Sequence, residues 1–251
     1  MNTLFDTLLR EDQLRAVFQP IVATADLQVT GYEALIRGPA GSCIESPAAL
    51  FGLARSTGRQ RELETACLRT IWRRFRSLGL PGKLFVNVSA GMLLAPAGPG
   101  RELEDILASL EMEPQRVVLE ITEDEAVTDY ARLRHVAQRL TAQGYELAID
   151  DLGAGFASLR LWLELQPACV KLDNAFVQGV DGDLLKRCFL DAIQQLAQCS
   201  GARVIAEGVE TAGELALLRS LGIAHAQGYH IANPMEASAF PGWLEDWRHF
   251  F

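Results

Sequence analysis

The chain has 251 residues, 49% of them hydrophobic, which is enough for one large core and predicts a single domain over residues 1–251. Its formal net charge is −9, and its basic residues form no broad stripe, so polymeric nucleic acid is not expected as a partner. No apolar run approaches membrane-spanning length and the five cysteines show no CxxC spacing, which favours a cytoplasmic protein without a membrane partner.

The first two predicted strands, at residues 17–22 and 28–36, follow a short N-terminal helix and are separated only by residues 23–27. Parallel strands need a crossover connection of a dozen or more residues, usually a helix. The segment between these two strands is too short for that, so we expect them to be antiparallel.

The rest of the chain alternates between strands and helices. Strands are predicted at residues 84–88, 117–121, 146–150, 169–172, 203–206 and 225–227, and helices at 47–56, 62–78, 102–110, 126–143 and 184–198. Eight strands with intervening helices in about 250 residues predict an α/β fold, a TIM-type (β/α)8 barrel with an antiparallel first strand. In such a barrel the ligand-binding residues lie at the C-terminal ends of the strands.

Most of the predicted strands end on residues that can hold a cation or contact a phosphate. These residues are Glu33, Asn87, Glu120, Asp150, Asp151, Lys171, Glu207 and Gln227. Carboxylates brought together at one barrel mouth repel one another unless cations neutralise them. Hard oxygen ligands without Cys or His favour Mg²⁺ or Mn²⁺ over zinc. Two such ions roughly 3.5–4 Å apart can clamp a phosphodiester during in-line displacement, which predicts metal-dependent phosphodiester hydrolysis.

Several short motifs give these residues a recognisable order along the chain. They are FQPIV at 18–22, EALIR at 33–37, NVS at 87–89, LEITE at 119–123, DDLGAG at 150–155, KLD at 171–173, AEGVE at 206–210 and QGY at 227–229 followed by Pro234. The tripeptide at 33–35 has no specificity alone, but the whole series is highly specific. From about residue 14 to residue 235, the chain resembles the EAL-domain family of cyclic di-GMP phosphodiesterases, here as a stand-alone domain.

The resemblance implies a site for two divalent cations, Mg²⁺ or Mn²⁺. One metal ion would be held by Glu33, Asn87, Glu120 and Asp150. Asp150 would bridge to a second ion, which Asp151 helps to hold and which Glu207 binds directly or through water. Lys171 would orient the nucleophilic water and offset charge in the transition state. Whether Glu207 or the hydroxide itself acts as the general base stays open.

The resemblance also implies the substrate, cyclic di-GMP, which would be opened to the linear dinucleotide pGpG. The residues expected to contact it are Gln19, Leu35, Arg37, Asp173, Glu210 and Gln227, with Arg37 on a phosphate. Glu123 is expected to support catalysis by anchoring the loop after Asp151.

That loop departs from the usual family sequence at Leu152, Phe156 and Ala157, although Gly153 and Gly155 are kept and permit positive φ. The departures put in doubt whether the loop still couples the metal site to a dimer partner.

Two other functions stay open on the same scaffold: a catalytically silent receptor for cyclic di-GMP, and a protein-binding regulator that needs no nucleotide. The complete set of metal-ligand positions argues against both, because silent members of the family typically lack several of them. The resemblance further implies a homodimer. The chain offers no room for a sensory domain, so a regulatory protein partner is a further expectation.

Overall fold

The structure is a computed structural model that describes residues 5–6, 8–9, 13–95, 103–122, 127, 129–153 and 158–249. Its centre is a β-sheet whose strands lie at β1 Arg15–Ala23, β2 Val29–Arg37, β3 Lys83–Val88, β4 Val117–Ile121, β5 Glu146–Leu152, β6 Cys169–Leu172, β7 Arg203–Ala206, β8 His225–Ala226 and β9 Met235–Glu236.

Strands β2 to β8 pair in chain order, all parallel, and β1 closes the barrel between β8 and β2. Strand β1 is antiparallel to both of these neighbours, with Gln19 opposite Glu33 on β2 and Val22 opposite Ala226 on β8. The predicted eight-stranded TIM-type barrel with an antiparallel first strand is therefore confirmed. Strand β9, which the sequence did not predict, is a two-residue strand that pairs antiparallel with Val17 and Phe18 of β1.

Helices surround the barrel at α1 Pro47–Ser56, α2 Gln60–Leu78, α3 Ala90–Leu93, α4 Leu103–Ser109, α5 Tyr130–Ala142, α6 Ser158–Leu165, α7 Asn174–Val177, α8 Leu184–Ser200, α9 Ala212–Ser220 and α10 Phe240–His249. Several begin at side-chain caps, which fixes where each loop ends: Asp129 caps α5, and Thr211 forms a capping box with Glu214 at α9. In the described part of the chain, no helix is both long and apolar enough to cross a membrane.

The barrel interior is filled by two layers of side chains. The lower layer is an apolar cluster of Ile21, Phe85, Val118, Ala148, Cys169 and Ile205. Because side chains on a strand alternate between faces, the residue two positions further toward the mouth also points inward. From these six residues that step leads to Gln19, Asn87, Glu120, Asp150, Lys171 and Glu207, which form the upper layer.

Strand β2 supplies the lower layer with a glycine. A Cβ on Gly31 would meet the Phe85 ring and the Lys83 carbonyl oxygen, each at 2.8 Å, so only glycine leaves room for the ring. Two residues further along β2, Glu33 joins the upper layer. The apolar floor thus places the polar residues at the C-terminal mouth of the barrel.

Candidate functional site

The centre of the polar layer is the ammonium group of Lys171, whose side chain is 1% exposed. Its Nζ atom lies 2.7 Å from Oε1 of Glu207, 2.8 Å from Oε1 of Glu120, 2.8 Å from Oδ1 of Asp150 and 3.3 Å from Oε2 of Glu33. These five residues come from five strands, β2, β4, β5, β6 and the end of β7. Closure of the barrel brings the four carboxylates within ion-pair distance of Lys171.

A pair of buried amides also supports the Glu33 carboxylate. Gln227 donates from Nε2 to Oε2 of Glu33 at 2.6 Å and to Oε1 of Gln19 at 2.8 Å. Gln19 in turn donates from Nε2 to the carbonyl oxygen of Ala232 at 2.9 Å. Both amides are therefore oriented by fixed partners and help to hold the Glu33 carboxylate.

The adjacent pair Asp150 and Asp151 sits at an irregularity in β5. Neighbouring strand residues normally point to opposite faces, but the pairing with β6 shifts register between Ile149 and Leu152. Asp151 has φ 52°, a left-handed conformation that is uncommon for a residue with a side chain. This bulge brings a carboxylate oxygen of Asp151 within 4.8 Å of one from Asp150 and one from Glu207.

The same turn requires the glycine that follows. Gly153 has φ 108°, and a Cβ there would lie 2.0 Å from the Phe176 ring. The predicted conformational role of Gly153 fits this geometry, because positive φ and the close ring both favour glycine. Gly155 and Glu123 lie outside the described residues.

The electrostatics of the layer are unbalanced. Burial raises the pKa of the Glu120 and Glu207 carboxyl groups well above their usual range, even though Lys171 favours their ionised forms. Burial, followed by the charge of Asp150, raises the pKa of Asp151 to about 6. Burial alone would lower the pKa of Lys171, but the carboxylates around it, Asp150 foremost, hold that pKa well above its ordinary value. Lys171 therefore stays protonated at neutral pH.

The donor set fits divalent cations. Carboxylate oxygens of Glu33, Glu120 and Asp150 lie within 4.8 Å of one another, and Asp150 also belongs to the group with Asp151 and Glu207. The five acids and one ammonium leave a formal excess of four negative charges, which two divalent cations would neutralise. Among the described residues, Oε2 of the fully buried Glu120 has no hydrogen-bond partner. Such an orphaned carboxylate oxygen is expected where a hard cation completes the site.

Asn87 is the predicted metal ligand that stands apart from the carboxylates. It lies beside Glu120 in the register of β3 and β4, but its side chain is exposed. It lines a separate cavity of about 600 Å³, between β2, β3 and helices α1 and α2, together with Leu35, Phe51 and Glu64. Asn87 is thus adjacent to Glu120 in the sheet, and its exposed side chain is less constrained by packing than the buried carboxylates.

A cavity of about 340 Å³ opens directly above the polar layer. All six residues predicted to contact the substrate line it: Gln19, Leu35, Arg37, Asp173, Glu210 and Gln227. The sequence interpretation did not assign Asn174, Gln178 and Tyr229, which also line the cavity. Gln178 donates to Oε1 of Glu210 at 2.9 Å, and Tyr229 is 65% exposed. Tyr229 belongs to the QGY motif and could have been found from it, whereas no motif marks Asn174 or Gln178.

Comparison with known proteins gives a family match. The EAL domain matches residues 1–234. The chain is 31% identical over 245 residues to the cyclic di-GMP phosphodiesterase NbdA of Pseudomonas aeruginosa, covering 96% of this chain and 31% of the relative. The chain therefore spans about a third of the length of that relative.

Solved structures agree with the match. A Klebsiella pneumoniae BlrP1 complex with calcium and cyclic di-GMP superposes with a TM-score of 0.79 at 31% identity, covering 90% of this chain and 57% of that one. A manganese complex of the same protein gives a TM-score of 0.79 at 30% identity, covering 92% and 58%. A standalone EAL protein from Vibrio cholerae O395, bound to cyclic di-GMP, gives 0.78 at 26% identity, covering 90% and 94%.

Proposed function

Because this chain belongs to the EAL domain family, we propose that it hydrolyses cyclic di-GMP to the linear dinucleotide pGpG with the help of two divalent cations, Mg²⁺ or Mn²⁺. The observation that carries the proposal is the cluster of four carboxylates around Lys171. A catalytically silent barrel would have no need to keep so many unneutralised acids in a buried site.

The carboxylates divide between two cation positions. Glu33, Asn87, Glu120 and Asp150 would hold one ion, and Asp150, Asp151 and Glu207 would hold the other, in keeping with the two carboxylate groups that share Asp150. When bound, the cations would lower the pKa of water and offset negative charge on the phosphate oxygens.

Lys171 acts as a fixed cation and hydrogen-bond donor in this proposal. Its raised pKa excludes it as a general base, since it holds its proton at neutral pH. Its Nζ atom and Oε1 of Glu207, 2.7 Å apart, give one donor and one acceptor with which to orient the attacking water. The Lys171 side chain is 1% exposed and that of Glu207 is 16% exposed, so packing keeps both groups in place and the low local dielectric strengthens the interaction between them.

The substrate would lie in the cavity above the metal positions. Arg37 would contact a phosphate, and Gln19 and Gln227, already aligned by hydrogen bonds, would face the scissile side. Leu35, Asp173 and Glu210 would contact the rest of the dinucleotide. In this proposal Glu123 anchors the loop after Asp151, and Gly153 and Gly155 permit the positive φ angles that the loop needs.

We also propose a homodimer. Helices α6 and α8 expose large apolar side chains: Leu159, Leu163, Leu184, Leu185 and Phe189, with Leu163 76% exposed. Phe189 contacts Phe176 edge to face at 6.1 Å, and Phe176 lies against Gly153. Light scattering of wild type and of Leu163→Asp tests this proposal: a wild-type dimer that dissociates in the variant is expected, and a wild-type monomer would contradict it.

The functional test is conversion of cyclic di-GMP to pGpG, followed by chromatography with and without Mg²⁺ or Mn²⁺. Metal-dependent turnover supports the proposal. Tight nucleotide binding without turnover in saturating metal would indicate a receptor, and absence of binding would indicate a protein-binding regulator.

Cell fractionation tests the predicted cytoplasmic location, and co-purification tests for a regulatory protein partner.

A further inference from the structure

Glu64 is a buried acid that belongs to neither carboxylate group of the candidate metal site. It lies in the first turns of α2 and is 6% exposed. A buried carboxylate is costly unless it receives hydrogen bonds or a counter-charge, so its partners indicate what it is for.

Its partners include the segment that carries Asn87. Oε2 of Glu64 accepts from the Ser89 hydroxyl at 2.9 Å and lies 3.4 Å from the Ser89 backbone nitrogen. Oε1 accepts from Nε2 of Gln60 at 2.9 Å. The Ser89 hydroxyl also caps α3 by accepting from the Met92 backbone N–H at 3.0 Å. Glu64 thus fixes the turn at which β3 becomes α3.

Strand pairing supports this turn on one side only. The pairing of β3 with β4 continues to Val88, but the pairing with β2 ends at Val86. Asn87 is therefore held by the sheet only from the β4 side, and it lies at the edge of the cavity of about 600 Å³. Glu64 reaches the chain from the β2 side, two residues beyond Asn87.

We propose that Glu64 is a positioning residue for the Asn87 metal ligand: it gives the support that pairing with β2 does not provide beyond Val86, and so fixes the direction of the amide toward the cation. The inference rests on the proposed metal role of Asn87. Partners that orient metal ligands without touching the metal commonly change metal affinity about 10–100-fold when removed. We place Glu64 at the lower end, because it acts through two residues of backbone.

The experiment is a Mn²⁺ titration of the metal-free protein by calorimetry, alongside thermal unfolding without metal. Glu64→Ala is expected to weaken Mn²⁺ binding about 10-fold, whereas Glu64→Gln, which keeps an acceptor oxygen, should recover most of the affinity. Glu104→Ala is the matched control, because this acid forms an ion pair with Arg139 on the outer helices, 13% exposed. It should bind Mn²⁺ as wild type does.

A double variant separates positioning from general destabilisation. If Glu64 acts through Asn87, then Asn87→Ala with Glu64→Ala should bind Mn²⁺ no more weakly than Asn87→Ala alone. Additive losses, or a lower melting temperature of Glu64→Ala with unchanged Mn²⁺ affinity, would overturn the inference. Failure of the wild-type protein to bind Mn²⁺ would instead overturn the proposed function on which the inference depends.

Discussion

The two ends of the barrel use the same kinds of charged residue with opposite results. At the mouth, four carboxylates surround the single ammonium of Lys171. At the base, the single carboxylate of Glu146 lies between Lys83 and Arg203.

The pKa values follow this balance. Burial alone would raise the pKa of Glu146, but Lys83 and Arg203 hold it below its ordinary value, whereas the pKa of Glu120 is raised. The carboxylate at the base is satisfied by the protein and contributes to the fold. The carboxylates at the mouth lack positive charge, which is expected of residues that bind cations during function.

The sharpest contrast is expected when one acid is removed from each end. Glu33→Ala should lower turnover of cyclic di-GMP by about 10³-fold or more, since it removes a ligand that metal catalysis needs. Glu146→Gln should keep turnover within about threefold while lowering the free energy of unfolding by about 1–3 kcal/mol. Initial rates and denaturant unfolding of both variants provide the measurement. Equal losses of activity at the two ends would remove the distinction between them.

A cation at each end gives the next contrast. Lys171→Ala should reduce turnover about 10²-fold, because it removes the fixed charge and donor beside Glu207. Lys83→Ala at the base should change turnover only a few-fold, since Arg203 still neutralises Glu146. Rates at saturating metal and substrate test this expectation. A Lys171→Ala enzyme as active as wild type would show that the ammonium serves only to balance charge in the metal-free protein.

Metal binding should stabilise the protein through the mouth alone. At a Mn²⁺ concentration about 100 times the dissociation constant, the expected gain is about 2.7 kcal/mol, which raises the melting temperature by roughly 5–10 °C. Glu33→Ala should lose most of this increase and Glu146→Gln should keep it. Thermal scans with and without chelator measure both, and an increase that survives in Glu33→Ala would locate the bound metal elsewhere.

The smallest effect belongs to His225 at the base. Burial, followed by the charge of Arg203, lowers its pKa to about 4. Because an unfolded histidine has a pKa near 6.5, the unfolded chain binds the proton more readily, and the stability present above pH 6.5 is lost as the pH falls toward 4. The full difference in pKa corresponds to about 3 kcal/mol, and solvent screening of the partly buried ring reduces the expected loss to about 2 kcal/mol. His225→Asn should remove this part of the pH dependence in urea unfolding, and parallel pH profiles for wild type and variant would contradict the assignment.

The sequence predicted the barrel because its patterns are local. The short segment 23–27 required an antiparallel first pair, and strand-end polar residues pointed to the mouth. The sequence did not predict β9, because a strand of two residues, Met235–Glu236, is too short to show an alternating pattern of apolar and polar residues. The bulge at Asp150 and Asp151 was also missed, since it depends on a register shift against β6 rather than on the residues themselves.

The candidate site could be predicted where family motifs mark it. Asn174 and Gln178 line the cavity above the polar layer because α7 follows β6 at the mouth, which no spacing rule indicates. The support of Ser89 by Glu64 depends on the packing of α2 against the end of β3, a contact between residues 25 positions apart.

One assay tests the central claim that the mouth is a two-cation phosphodiesterase site. Purified protein is treated with chelator, divided, and incubated with cyclic di-GMP over a Mg²⁺ or Mn²⁺ titration while pGpG is quantified. We predict no product without metal and saturable pGpG formation as metal is added. Nucleotide binding with no product at saturating metal would contradict the claim.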